Sequence, residues 1–127
     1  MTLKRIANVP ESHIQQPATV RGNWENRYNV ACWLRPLAAS AFDAKLYLQF
    51  RDQENRDKQV AVDRAAVSLG RPALLSSQIQ LNAVGKITEM SVWIEVSEGA
   101  PAYAIDELFV QSVAGTAQQK QPKLISA

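Results

Sequence analysis

The sequence predicts an all-β protein, an antiparallel β-sandwich, and three observations support this prediction. Apolar residues recur at every second position along several stretches, which is the spacing at which side chains of a strand share one face. Glycine and proline fall between these stretches, as is typical of turns. The chain has 127 residues, 46% of them hydrophobic and 20% charged, so it can bury a core and does not have the composition of a disordered chain.

Three stretches, residues 28–35, 45–51 and 90–97, alternate most clearly. Each is predicted to be a strand with one face toward a core. The residues expected to face that core are Tyr28, Val30, Cys32, Leu34, Leu46, Leu48, Phe50, Met90, Val92, Ile94 and Val96.

Weaker strands are predicted over residues 59–63, 77–81 and 103–113. In the last of these, the apolar phase slips by one residue at Asp106-Glu107, which predicts a β-bulge. Residues 57–69 also have a helix-forming composition. Their apolar positions make a poor helical stripe, so a strand followed by a loop is favoured.

The predicted domain is a single β-sandwich over residues 1–113, in which residues 1–20 supply an edge strand or an arm. Residues 114–127 are polar and are predicted to be a flexible tail or linker. The first residues lack the apolar segment of a signal peptide. We therefore expect a cytoplasmic protein, a protein exported without such a signal, or a piece of a longer chain.

The charge distribution argues against a nucleic-acid partner. The net charge is +2, from 14 basic and 12 acidic residues. Four of the basic residues, Lys4, Arg5, Lys120 and Lys123, lie near the ends, and the rest of the chain has a net charge of −2. A basic face that could neutralise phosphates is therefore not expected. A membrane span is not expected either, because it would need about 20 consecutive apolar residues.

Motifs of catalysis are absent from the sequence. A Gly-x-Ser-x-Gly elbow, a P-loop and a His-Glu-x-x-His motif do not occur. One cysteine, Cys32, and one histidine, His13, cannot form a disulfide or a Cys/His zinc site. Cys32 is expected to be a buried, inert thiol and His13 a surface residue. We therefore predict that the protein is not an enzyme and assign no catalytic residue.

The order of the strands resembles that of the jelly-roll carbohydrate-binding modules of families four, nine and twenty-two, which have a galactose-binding-domain-like fold. The matching pieces are an aromatic-rich strand at 28–35, a strand at 45–50, an apolar strand at 90–96, and a last strand at 103–110 with an acidic pair. The tryptophan of the family's Gly-x-Trp turn is missing, since the corresponding residues are Gly70-Arg71-Pro72. The resemblance implies a sandwich of jelly-roll type and a non-catalytic module that binds carbohydrate.

If the apolar faces point inward, three aromatic residues project from the opposite side, accompanied by polar ones. An aromatic ring can cover the C–H face of a sugar while polar groups bond its hydroxyls. The predicted ligand-binding residues are Trp33, Tyr47 and Trp93 with Arg35, Gln49 and Glu95, and Arg51 shares their position. The alternative is that the aromatic residues are buried, since tryptophan is highly buried on average.

The expected partner is therefore a glycan or a protein. The alternative function is a structural or protein-interaction sandwich, which either self-associates as a homo-oligomer or forms part of a larger protein. No cofactor is expected other than the structural calcium ion that many members of the resembled group hold. Of the ligands in that group, Asp106 in the last strand is the residue that matches.

Overall fold

The structure is a computed structural model, and it describes residues 2–14, 26–38, 40–83 and 85–113. Within these ranges the chain forms seven strands and one short helix. They are β1 (Thr2–Asn8), α1 (Glu11–Ile14), β2 (Arg27–Pro36), β3 (Phe42–Arg51), β4 (Asp57–Val67), β5 (Ala73–Gln80), β6 (Glu89–Val96) and β7 (Tyr103–Ser112). The predicted tail at 114–127 lies outside the described residues.

The strands form two antiparallel sheets, one of four strands in the order β1-β6-β3-β4 and one of three in the order β5-β2-β7. Among the described strands, β3 and β4 are the one consecutive pair that lies in the same sheet, and every other connection crosses to the opposite sheet. The predicted antiparallel β-sandwich is confirmed. β1 provides the expected edge strand, and the ambiguous segment at 57–69 is a strand as far as Val67.

The core lies between the two sheets and includes the residues that the alternation selected. Every residue expected to face the core is buried. The largest polar group among them is satisfied, because the hydroxyl of Tyr28 donates to the carbonyl of Ile14 at 2.9 Å. Burial of each large apolar side chain stabilises the fold by about 1.5–3 kcal/mol. This burial fixes the orientation of β2, β3 and β6, so the intervening residues of those strands must face outward.

The predicted bulge lies in β7. The register between β2 and β7 shifts between Ala31, opposite Phe109, and Trp33, opposite Asp106. Glu107 takes up the extra residue with a φ of 52°, a left-handed conformation that is uncommon outside glycine. The shift of phase brings Phe109 to the solvent side, on the same outer face as Trp33.

The loop between β3 and β4 has a buried centre. Asp52 is fully buried, and its Oδ1 accepts hydrogen bonds from the amides of Glu54 at 2.9 Å and Arg56 at 3.1 Å. Gln53 reaches across to the segment before β6, where its Oε1 accepts from the amide of Lys86 at 2.9 Å. At Gly85 the φ is +73°, and a β-carbon there would collide with that same oxygen. These contacts hold the loop between β3 and β4 in one position at the end of the four-stranded sheet.

Candidate functional site

Four of the predicted site residues lie on neighbouring strands of the four-stranded sheet. Tyr47 and Gln49 belong to β3, and Trp93 and Glu95 belong to β6, with Tyr47 directly opposite Trp93. All four are partly exposed and alternate with buried residues, so their side chains point away from the core. We call the outer side of this sheet, formed by the outward residues of β1, β6, β3 and β4, the β3–β6 face.

Trp33 and Arg35 do not join that face. Both lie on β2, in the three-stranded sheet, and so they project from the opposite side of the sandwich. The six predicted residues therefore do not form one surface. The alternation shows which side of a strand faces solvent, but it does not show which of two sheets the strand belongs to. None of the three aromatic residues is fully buried, and Trp33 is 37% exposed.

Trp93 contacts two polar neighbours, Ser91 and Arg5. Its indole Nε1 donates to Oγ of Ser91 at 2.8 Å. The guanidinium of Arg5 lies 5.5 Å from the centroid of the Trp93 ring and donates to Oδ1 of Asn8 at 3.1 Å. At an exposed site, such a cation–π contact is worth about 0.5–1 kcal/mol. The ring is thus kept in one orientation at the centre of the face.

Tyr47 and Glu95 form the second fixed pair. The hydroxyl of Tyr47 donates to Oε1 of Glu95 at 3.0 Å. Partial burial, together with this hydrogen bond and the charge of Glu95, raises the pKa of Tyr47. The phenol therefore remains a donor over the neutral range, and Oε2 of Glu95 has no protein partner among the described residues.

Arg51 closes one end of the face. Its Nε donates to Oδ1 of Asp57 at 2.8 Å, and Nη1 lies 3.5 Å from Oε2 of Glu89. The hydrogen bond from Arg51 lowers the pKa of Asp57. Both carboxylates therefore share one guanidinium, and these three groups together leave an excess of negative charge at this end of the face.

A row of hollows follows β3 along the face. The largest has a volume of about 540 Å³, within the range of about 300–1,000 Å³ typical of ligand sites. It is lined by residues that include Arg5, Gln49, Arg51, Ser91 and Trp93. A hollow of about 260 Å³ beside it contains Tyr47, and one of about 390 Å³ contains Asp43, and both are lined by Lys45 and Arg64. From Arg51 to Asp43 the face spans roughly 26 Å, at about 3.3 Å per residue.

Several of these residues were missed by the sequence reasoning. Ser91 and Lys45 have the same parity as Trp93 and Tyr47, and so the alternation could have found them. Arg5 and Arg64 reach the face only because β1 and β4 contain register shifts. Nothing in the sequence pattern alone marks those two positions.

Asp106, the predicted calcium ligand, instead forms an ion pair with Arg35. Its Oδ2 accepts from Nε of Arg35 at 2.8 Å, and its Oδ1 from Nη2 at 3.5 Å. This pairing raises the pKa of Arg35. Over the described ranges, no three Asp, Glu, His or Cys residues come together as a metal site would require. The residues around Asp106 therefore do not fit a calcium ion.

Cys32 and His13 lie where the sequence predicted them. Cys32 is buried, and burial, with a smaller contribution from the charge of Asp106, raises the pKa of its thiol to about 11. A thiol with such a pKa is protonated at neutral pH and is a poor nucleophile. His13 is exposed on α1.

The outer side of the three-stranded sheet carries an apolar patch, which we call the Trp33 patch. It consists of Trp33, Leu74 and Phe109, which are 37%, 44% and 46% exposed. Trp33 lies opposite Leu74 on one side, and the Arg35–Asp106 ion pair forms the edge of the patch. This patch has a different chemistry from the β3–β6 face, because it is mainly apolar.

No protein-family model matches the chain, and no curated protein matches its sequence. Among solved structures, its fold is similar to the C-terminal family 22 carbohydrate-binding module of Clostridium thermocellum Xyn10B. The TM-score is 0.54 at 24% sequence identity, and the match covers 72% of this chain and 57% of that chain. The match therefore spans little more than half of the other chain's length. It shows that the sandwich has the fold of a jelly-roll carbohydrate-binding module.

The cleft of that module contains conserved amino acids with a role in ligand binding.

In the present chain, none of the described helices is both long enough and apolar enough to cross a membrane.

Proposed function

We propose that the protein is a non-catalytic carbohydrate-binding domain and that the β3–β6 face is its binding surface. The observation that carries the proposal is the position of Tyr47 and Trp93, two partly exposed aromatic side chains that face each other across neighbouring strands beside a hollow of about 540 Å³. The fold it shares with a carbohydrate-binding module supports the proposal.

The chemistry of recognition divides between apolar and polar contacts. The Trp93 and Tyr47 rings cover the C–H faces of sugar units, which replaces water on both surfaces. The amide of Gln49 and the free oxygen of Glu95 are placed to bond the sugar hydroxyls around them. Since Trp93, Tyr47 and Glu95 are already fixed by protein hydrogen bonds, these three side chains lose little entropy on binding.

The carboxylates of the face support a non-catalytic role. Hydrolysis of a glycosidic bond needs two carboxyl groups on either side of the bond, one acting as an acid. Here Glu95 is bonded to Tyr47, while Asp57 and Glu89 both contact Arg51. Each of these three carboxylates contacts a donor of the protein, which supports a stabilising role for them.

The test compares the effect of replacing Trp93, in the four-stranded sheet, with that of replacing Trp33, in the three-stranded sheet. Retention of the protein is measured by affinity electrophoresis on a panel of neutral and acidic polysaccharides, for the wild type, Trp93→Ala and Trp33→Ala. We expect Trp93→Ala to lose retention at least ten-fold and Trp33→Ala to keep it. Circular dichroism of both variants checks that they fold. Retention by no polysaccharide, or loss only in Trp33→Ala, would contradict the proposal.

A second candidate function is self-association, which the Trp33 patch favours. Three large apolar side chains are exposed together, and Arg35 and Asp106 place one positive and one negative group at the edge. Such a patch is self-complementary, because two copies related by a two-fold axis can pack the apolar residues together and pair opposite charges. The proposed occupant is a second copy of this chain.

Sedimentation velocity over a range of concentrations tests this candidate. We expect a dimer that dissociates in Leu74→Ser and Phe109→Ser, while Leu69→Ser, an exposed leucine outside the patch, leaves it intact. A monomer at every concentration, or a dimer that is unchanged by the two patch variants, would overturn it.

A further inference from the structure

We propose that the Lys45–Arg64 end of the β3–β6 face binds an anionic substituent of a sugar chain, either the carboxylate of a uronic acid or a sulfate ester. The inference rests on the proposed carbohydrate binding and names the class of glycan. Its starting point is that Lys45 and Arg64 are directly opposite each other on β3 and β4. Like charges in this arrangement destabilise a sheet, so their pairing calls for another explanation.

Among the described residues, neither of the two cations has a partner that would neutralise it. Neither Lys45 nor Arg64 makes a side-chain hydrogen bond or an ion pair with any of the described residues, in contrast to Arg35 and Arg51, which are both paired with carboxylates. The two unpaired cations are also the two residues shared by adjoining hollows of about 260 and 390 Å³. The unmatched positive charge therefore lies inside the binding surface.

The neighbouring carboxylates are already bonded or lie to one side. Asp63 accepts hydrogen bonds from the amides of Arg64 at 2.8 Å and Ser76 at 3.0 Å. Glu95, which faces Lys45 from β6, accepts from Tyr47. Asp43 lines the outer hollow and limits the site at that end. An anion is thus expected on the β4 side of Lys45, between the ammonium and the guanidinium.

The geometry of the two groups suits an anion attached to a sugar. A guanidinium presents two parallel donors to a carboxylate or a sulfate, and an ammonium adds a compact charge from the other side. Tyr47 lines the same hollow of about 260 Å³. A sugar unit stacked on Tyr47 would therefore present its charged substituent to Lys45 and Arg64, while the neighbouring unit lies toward Trp93.

The experiment measures affinity by isothermal titration calorimetry for matched pairs of ligands. The pairs are a uronate-bearing polysaccharide with its carboxyl-reduced form, and a sulfated polysaccharide with its desulfated form. The proteins are the wild type, Lys45→Gln, Arg64→Gln and the matched control Arg71→Gln. The control removes an exposed arginine between β4 and β5 that lines neither of the two hollows.

We expect at least one charged form to bind about ten-fold more tightly than its neutral twin, as for one or two charge-assisted hydrogen bonds. Arg64→Gln and Lys45→Gln are expected to lower the affinity for the charged form to that for the neutral one, and Arg71→Gln to leave it unchanged. Added salt should weaken binding of the charged form only. The two variants are also expected to melt at or slightly above the wild-type temperature, because a like-charge contact is removed.

Equal affinity for charged and neutral forms, with no effect of Lys45→Gln or Arg64→Gln, would overturn this inference and leave the carbohydrate-binding proposal intact. Absence of binding to every polysaccharide would overturn both. A drop in affinity in Arg71→Gln as large as in Arg64→Gln would assign the charge effect to the whole protein and would also overturn the inference.

Discussion

At the scale of single residues, the hydrogen bond between Tyr47 and Glu95 would link stability to recognition in the proposed function. It fixes the ring and one carboxylate oxygen with a single contact of 3.0 Å. The ring is then placed to stack on a ligand, and the second carboxylate oxygen is left to accept from one. Removal of the phenol hydroxyl should therefore affect both properties.

We predict that Tyr47→Phe weakens glycan binding several-fold, because Glu95 is no longer held in place. The loss of stability should be small, about 0.5–1 kcal/mol, since the bond is partly exposed to solvent. Calorimetric titration and thermal unfolding measure the two effects. Unchanged affinity in this variant would show that the pair does not orient the ligand.

The same pair predicts a dependence on high pH. The pKa of Tyr47 is raised above the ordinary tyrosine value of 10.0, so the folded state holds the proton more tightly than the unfolded state. Its contribution to stability is complete below pH 10 and is lost as the pH rises through the raised pKa. The wild type should therefore lose more stability above pH 10 than Tyr47→Phe does. Parallel melting curves against pH for the two proteins would contradict this.

At the scale of elements, the bulge in β7 decides which side chains reach the outer face of the three-stranded sheet. Glu107 has a φ of 52°, which costs a non-glycine residue about 1 kcal/mol. The strain is compensated by the phase shift, which keeps Val110 in the core after Asp106 has turned outward.

We predict that Glu107→Gly leaves the stability unchanged or raises it by up to about 1 kcal/mol, since glycine adopts this conformation without strain. Gln111→Gly, at an exposed position of the same strand with no positive φ, serves as the control and should lower the stability. Denaturant unfolding measures both. A loss in Glu107→Gly equal to that in the control would show that the bulge is not strained.

The strands also show how much of the fold and of the β3–β6 face could be predicted from the sequence. Period-two alternation predicted β2, β3 and β6 with their buried residues, and the bulge in β7, because burial of one face is a strong and local constraint. The alternation could not show that Trp33 and Trp93 belong to different sheets, because both are outward-facing residues of strands with similar patterns. Sheet membership depends on long-range pairing, and Arg5 and Arg64 reach the β3–β6 face through register shifts that no local pattern records.

At the scale of the whole molecule, the sandwich has two outer faces with different chemistry. The β3–β6 face combines aromatic rings, polar groups and a row of hollows, whereas the Trp33 patch is apolar and its edge carries one ion pair. A domain that binds a glycan on one side can use the other side for a second copy. The two proposed functions can therefore be tested independently.

The central claim is that carbohydrate binds to the β3–β6 face, and a nuclear magnetic resonance titration tests it most directly. An oligosaccharide from the polysaccharide that retains the protein best is added to isotopically labelled protein. The account predicts shifts for the indole N–H of Trp93 and for the amides around Tyr47 and Gln49, with the indole N–H of Trp33 unchanged. Shifts centred on Trp33 and the strands of the three-stranded sheet, with Trp93 unaffected, would contradict the account.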